Sequence, residues 1–174
     1  MVTLSQVAER YIGKTETPNN SGFKDKTFET KMKNVGWIKS QAWCAYFAEL
    51  CTIEWANEIG RKDIAKLATQ LFSGGSTATY KNFEIYATQN PKGIARVSKT
   101  PINNSIAIYR HGNSWQGHTA ITKSFTPDLV VTNIEGNSAS NGTREGIEVT
   151  IKKRKHKAPY TPKGLNIVGY IYFV

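Results

Sequence analysis

Two cysteines, Cys44 and Cys51, and three histidines, His111, His118 and His156, are the side chains of this 174-residue chain best suited to supply a nucleophile and a base. The cysteines stand seven positions apart in a stretch rich in Ala and aromatic residues that reads as one helix. At a rise of ~1.5 Å per residue their Cα atoms are roughly 10 Å apart, beyond the ~7 Å a disulfide spans. Each is therefore a free thiol or a core residue. Neither has metal-ligand spacing to the scattered histidines, so no structural metal is expected, and no cofactor. Cys44 falls in the first helical turn, where unpaired N–H groups and the positive dipole end favour a thiolate. The other use of such a residue is as a small buried hydrophobe. Cys51 lies two turns in, among Leu50 and Ile53, and reads as core.

A thiolate needs a base. His156 sits in Lys152-Lys153-Arg154-Lys155-His156-Lys157 and reads as a solvated turn residue, while His111 lies in a loop beside Gly112-Asn113. His118 opens the strand Gly117-His118-Thr119-Ala120-Ile121, where a regular element would fix its direction. Alone, a histidine at a strand edge is often mere half-exposed surface. The hairpin adds to it. The chain turns at Thr126-Pro127-Asp128 and returns through Val130-Val131-Thr132-Asn133-Ile134-Glu135-Gly136-Asn137. With a two-residue loop His118 faces Glu135; with Pro127 second in a type I turn it faces Asn137. Both closures have the same parity, so His118, Glu135 and Asn137 share one sheet face, opposite or diagonal. A carboxylate or amide beside an imidazole fixes its tautomer and stabilises the imidazolium.

The elements that must hold these residues are legible in outline. Residues 3–12 read as a short helix with a Thr3/Gln6 capping box and Gly13 as its stop. Residues 15–36 read as an irregular loop. Ser40 is a plausible cap for a long helix over 42–59 that Gly60 ends, and 63–72 and 77–86 form two further helices around the Gly74-Gly75 break. From residue 101 the period becomes two, with strands expected at 105–110, 117–125, 129–135, 146–153 and 167–174, paired as an antiparallel meander. Helices first and strands afterwards imply an α+β fold: N-terminal helices packed on a C-terminal antiparallel sheet of about five strands, within one domain spanning 1–174.

The ordered set of Trp43-Cys44-Ala45 opening a long helix, Gly117-His118-Thr119-Ala120-Ile121, Ile134-Glu135-Gly136-Asn137 and a closing Gly169-Tyr170-Ile171 resembles a known family. These are the CHAP (cysteine, histidine-dependent amidohydrolase/peptidase) domains of the NlpC-like papain superfamily. Glu16-Thr17-Pro18-Asn19-Asn20-Ser21-Gly22 also looks like the approach loop of bacterial and phage wall hydrolases of this kind. The resemblance covers nearly the whole chain. It implies a papain-like fold, with Cys44 as nucleophile, His118 as general base, Glu135 orienting it and Asn137 as a supporting polar residue. The implied reaction is hydrolysis of an amide in peptidoglycan through a thioester, either the N-acetylmuramoyl-L-alanine bond or one in the stem or cross-link. The backbone N–H of Cys44 would hold the oxyanion, with Gln41 as a side-chain donor beside it. Two features depart from many members. Residues 33–43 hold no acidic side chain for a calcium loop, and the chain leaves no room for a separate wall-binding domain.

Composition bounds the partner. With 23 Lys+Arg against 13 Asp+Glu the formal charge is +10, so an acidic partner is expected: nucleic acid, an anionic membrane or an envelope polymer. The resemblance favours the bacterial envelope over nucleic acid, for a monomer released to the periplasm or wall by a holin-type or secretion route. No apolar run reaches the ~18 residues of a membrane span, and the N-terminus reads as no secretory signal. The basic run at 152–157 reads as a solvated turn. Trp115, beside His118, is the best wall-contacting aromatic, whereas Trp55 reads as core. Two other readings compete with a phage lysin: an antibacterial effector of the same chemistry, and a non-catalytic basic module that binds acidic polymers.

Overall fold

The computed structural model describes residues 1–138, 146–156 and 158–174. Helix α1 (Leu4–Glu9) begins with the expected capping box: Thr3 N donates to Gln6 Oε1 at 2.9 Å, and Gln6 N to Thr3 Oγ1 at 3.3 Å. It is shorter than the periodicity suggested, because the apolar stripe ends at Tyr11 and Ile12 is exposed. The region 15–36 is not all loop. Helix α2 (Lys26–Asn34) starts at Asp25, whose side chain accepts from Phe28 N at 3.0 Å. Its buried apolar residues are only Phe28 and Met32, too few in nine positions for periodicity to show. Helix α3 (Cys44–Glu58) is buried over most of its surface and ends before Gly60, whose φ of +76° only glycine adopts at no cost. Ser40 does not cap it. Ser40 has φ +71°, and Trp43 occupies the cap position with no side-chain cap bond. Helices α4 (Lys62–Leu71) and α5 (Ser76–Gln89) follow, with α5 three residues longer than expected at its far end.

Among the described residues six strands, not five, form one antiparallel sheet: β1 (Ala95–Ser98), β2 (Ser105–His111), β3 (Gly117–Phe125), β4 (Val130–Ser138), β5 (Glu148–Lys155) and β6 (Leu165–Phe173). The spatial order is β1-β6-β2-β3-β4-β5, so β2 to β5 form the expected meander while β6 returns to the far side of β2. The unexpected strand β1 is four residues long and pairs only with β6 at the sheet edge. In the β3–β4 hairpin, Leu129 N donates to Thr126 O at 2.8 Å, which puts Pro127 second in the turn. Ile121 then lies opposite Ile134 and Thr122 opposite Asn133, the second of the two closures considered. Lys123 bulges out, so Ser124 faces Thr132.

The helices pack on one sheet face. Ile106, Ile108, Ile121, Ile134 and Ile171 meet Val7, Phe28, Phe47, Ala48, Cys51 and Phe83 in a single buried cluster. Full burial of such side chains is worth ~1.5–3 kcal/mol each. At the site end of this layer Phe23, Phe28, Trp37, Trp43 and Phe47 form an aromatic cluster with centroids 4.8 to 6.4 Å apart. The opposite sheet face carries a smaller cluster of Ala107, Tyr109, Ala120 and Tyr170. Among the described residues no helix is long and apolar enough to cross a membrane.

Candidate active site

Cys44 is the first residue of α3, 5% exposed. Its position is set from two sides. Trp43 is fully buried and donates from Nε1 to Glu16 Oε2 at 2.6 Å, which fixes the start of the helix against the N-terminal segment. On the other side β4 approaches α3 so closely at Gly136 that an added Cβ would lie 2.7 Å from Trp43 Cζ3 and 2.8 Å from Phe47 Cβ. Only glycine allows this approach, and it brings the start of α3 to the strand end where His118 stands. With no side-chain cap, the first N–H groups of α3 remain available. A second helix begins at the same place. Ser76, first in α5, has its Oγ 3.8 Å from Cys44 Sγ and accepts a bond from Thr119 Oγ1 at 2.8 Å. Its own hydroxyl proton is thus free to point at the sulfur. Two positive helix ends converge on the thiol.

His118 opens β3 and is 9% exposed. Its Nε2 lies 2.9 Å from Glu135 Oε2, and because a carboxylate only accepts, that ring nitrogen is the donor. Nδ1 is then the ring nitrogen that the carboxylate leaves unengaged, and the charge of the ring acts on the Cys44 sulfur. Glu135 is completely buried, and its carboxylate is fully satisfied. Arg154 grips it with Nε to Oε1 at 2.7 Å and Nη2 to Oε2 at 2.7 Å, while Ser138 Oγ donates to Oε2 at 3.2 Å. The guanidinium in turn lies over the Tyr109 ring, 5.3 Å from its centroid. The result is a row of groups able to carry alternating charge: thiol, imidazole, carboxylate, guanidinium.

That row sets the proton affinities. Burial pushes the Cys44 thiol up, but the adjacent His118 charge and bonds from His118, Thr119 and Ser76 outweigh it and leave the thiol below its ordinary value. Burial would lower His118, yet the Glu135 carboxylate and the Cys44 sulfur raise it to about 10. Burial would also raise Glu135, while His118 and Arg154 hold it well below the usual carboxylate range. Because the four charges sum to zero, ionising the buried thiol leaves no uncompensated charge in low dielectric.

No family model, no curated protein and no solved structure matches this chain.

The geometry alone defines what this site can do. A buried thiol and imidazole at a helix start, with a fixed acceptor behind the imidazole, suit attack of sulfur on a carbonyl carbon followed by proton transfer to the leaving group. Of the residues singled out in the sequence, Cys44, His118 and Glu135 come together. Asn137 does not join them. It lies at a register shift of β4 with φ +54°, and among the described residues no hydrogen bond links it to His118. Gln41 Oε1 accepts from Tyr46 OH at 2.8 Å, and nothing among the described residues joins Gln41 to Cys44. Trp115 is 80% exposed, with its carbonyl accepting from Thr77 Oγ1 at 3.0 Å, so the hairpin before His118 is tied to α5. His111 ends β2 rather than lying in a loop. His156 is not a freely solvated turn residue, since it is half-buried and its Nδ1 lies 3.0 Å from Tyr170 OH. Lys157 lies outside the described residues.

Arg154 and Ser76 are the site residues that reasoning from sequence missed. The basic run containing Arg154 was read as a turn, whereas β5 continues to Lys155 and points Arg154 onto the Glu135 face. Extending the period-two pattern by two residues would have found it. Ser76, at the first position of a helix after Gly74-Gly75, left no comparable signal.

Proposed function

We propose that this chain is a cysteine hydrolase of papain-like arrangement that cleaves an amide bond in bacterial peptidoglycan. The observation that carries the reading is Cys44 at the uncapped start of α3, electrostatically coupled to an imidazole whose Nε2 lies 2.9 Å from the buried Glu135 carboxylate. Cys44 Sγ attacks the amide carbonyl, and the resulting oxyanion is held by the Cys44 backbone N–H. The C–N bond breaks as His118 gives its proton to the departing amine, leaving a thioester. His118 then takes a proton from water, the hydroxide attacks the thioester, and the carboxylic acid leaves as the thiol is restored. Glu135 holds the ring in the donor orientation throughout, and Arg154 keeps Glu135 ionised.

The choice of peptidoglycan rests on the resemblance of the motif set to CHAP domains and on the +10 charge, which suits an anionic envelope. The exposed Trp115 indole, on the hairpin that precedes His118, offers a face for sugar rings. The test is digestion of purified peptidoglycan with the wild type and with Cys44→Ala, and mass spectrometry of the products. New amino and carboxyl ends from the wild type and none from the variant are expected. Equal release by both, or none by either, overturns the reading.

A further inference from the structure

Ser76 stands where the starts of α3 and α5 meet the start of β3. It is buried, its Oγ lies 3.8 Å from Cys44 Sγ, and the fully buried Thr119 donates to it from Oγ1 at 2.8 Å. A serine hydroxyl has one proton and two lone pairs. Thr119 occupies one lone pair, so the Ser76 proton is left for the other partner. Among the described residues that partner is the Cys44 sulfur, and no further hydrogen bond reaches Ser76 Oγ. Nor does the hydroxyl serve its own helix. Gly75 holds the cap position of α5 with no side-chain cap bond, and Ser76 Oγ bonds to none of the helix N–H groups.

Three contacts fix this corner. Thr77 Oγ1 donates to Trp115 O at 3.0 Å, and Thr119 Oγ1 to Ser76 Oγ at 2.8 Å. At Gly117 an added Cβ would lie 3.2 Å from Ser76 Cβ and 3.4 Å from Thr77 Cγ2, so the start of α5 sits closely on β3. The sulfur therefore meets two neighbours of different kinds. His118 is held from behind by Glu135 and loses its charge as pH rises through about 10. The Ser76 hydroxyl carries no charge to lose. Burial raises the Cys44 thiol, and the bond from Ser76 is among the effects that offset it, behind the larger one of His118.

We propose that Ser76 is a catalytic residue: its hydroxyl, aimed by Thr119, donates a hydrogen bond to the Cys44 thiolate and holds the sulfur for attack without needing the charge on His118. The proposal deepens the cysteine hydrolase reading above and rests on Cys44 being its nucleophile. No proton changes hands in this step. The hydroxyl keeps its proton, and the bond weakens as the S–C bond forms and negative charge passes from sulfur to the carbonyl oxygen. Thr119 acts only through Ser76 and is a positioning residue. A hydrogen bond to a charged partner in a buried site is strong enough to move a titration by about one unit.

The test is iodoacetamide labelling against pH, read at each cysteine by peptide mass mapping, in wild type, Ser76→Ala, Thr119→Val and the double variant. Ser76→Ala should move the Cys44 midpoint up by about one pH unit, so that labelling falls about tenfold below the wild-type midpoint and is unchanged above the variant's. Thr119→Val, which keeps the side-chain shape, should move the midpoint the same way by less, and the double variant should match Ser76→Ala alone. Labelling of Cys51 should not change. An unmoved midpoint in Ser76→Ala, a loss equal at every pH, shifts that add in the double variant, or a parallel gain at Cys51 overturns the proposal. If Ser76→Ala does not fold, Thr119→Val decides alone: an upward midpoint supports the proposal and an unmoved one overturns it. Failure of the hydrolase reading shows separately, as wild-type protein that leaves purified peptidoglycan intact while these shifts stand.

Discussion

Cys44 and Cys51 share one helix, are both buried and are both free, yet they sit in opposite electrostatic settings. Cys51 is fully enclosed in the core, where burial, helped by nearby Glu54, raises its thiol well above the ordinary value. Cys44 is almost as buried but occupies the helix start, beside His118 and Ser76, and its thiol is lowered. Burial therefore does not decide the state of a thiol here. What decides is whether a compensating charge and oriented donors come with it, and at Cys44 they arrive on β3 and α5.

The contrast can be broken in order of expected effect. Cys44→Ala should remove hydrolysis by at least about 10³-fold, whereas Cys51→Ala should leave kcat/KM within about twofold and cost only about 1 kcal/mol in denaturant unfolding. Glu135→Gln keeps an acceptor near His118 but removes the charge that raises it. The expected loss in kcat/KM is about 10²–10⁴-fold, with the alkaline limb of the pH profile moving down from about 10. Arg154→Met should act on the same limb in the opposite direction. The guanidinium opposes protonation of His118, so its loss lets the full Glu135 field act and moves the limb up, with about a tenfold fall in kcat/KM, as ~1.5 kcal/mol for one charged hydrogen bond implies. A downward shift in Arg154→Met would show instead that the guanidinium acts mainly by keeping Glu135 ionised, and an unmoved limb that Arg154 does no more than hold the sheet together.

Gly136→Ala has the smallest expected effect on chemistry and a larger one on packing. The added methyl meets Trp43 and Phe47, so overpacking of ~1–3 kcal/mol should lower Tm by roughly 2–10 °C. Calorimetry checks this. The same displacement pushes the start of α3 from β4, so labelling of Cys44 should slow while that of Cys51 does not.

How far the sequence carries this account depends on the kind of regularity involved. The pairing of His118 with Glu135 was legible because side chains alternate with period two whichever way the turn closes. For Asn137 the alternation is a weaker guide, since it sits in the left-handed region at a register shift, a backbone that Asn is one of the few non-glycine residues to accept. Helix α2 was hidden by its short apolar stripe and β1 by its length and edge position. Arg154 was masked by the basic residues around it, and β6 crosses back to β2 in a way local pattern does not encode.

The central claim is that Cys44 exists as a thiolate paired with the His118 imidazolium. It is tested most directly by the rate of iodoacetamide labelling at each cysteine against pH, read by peptide mass mapping. The thiolate forms above the lowered Cys44 value, and the imidazolium is lost as pH rises through the His118 value of about 10. Labelling of Cys44 should therefore begin below the ordinary thiol range, level off once the thiolate has formed and change again near pH 10, with Cys51 on the order of 10²-fold slower at pH 7. Equal rates at the two cysteines, or a single Cys44 transition at the ordinary thiol value, would contradict it.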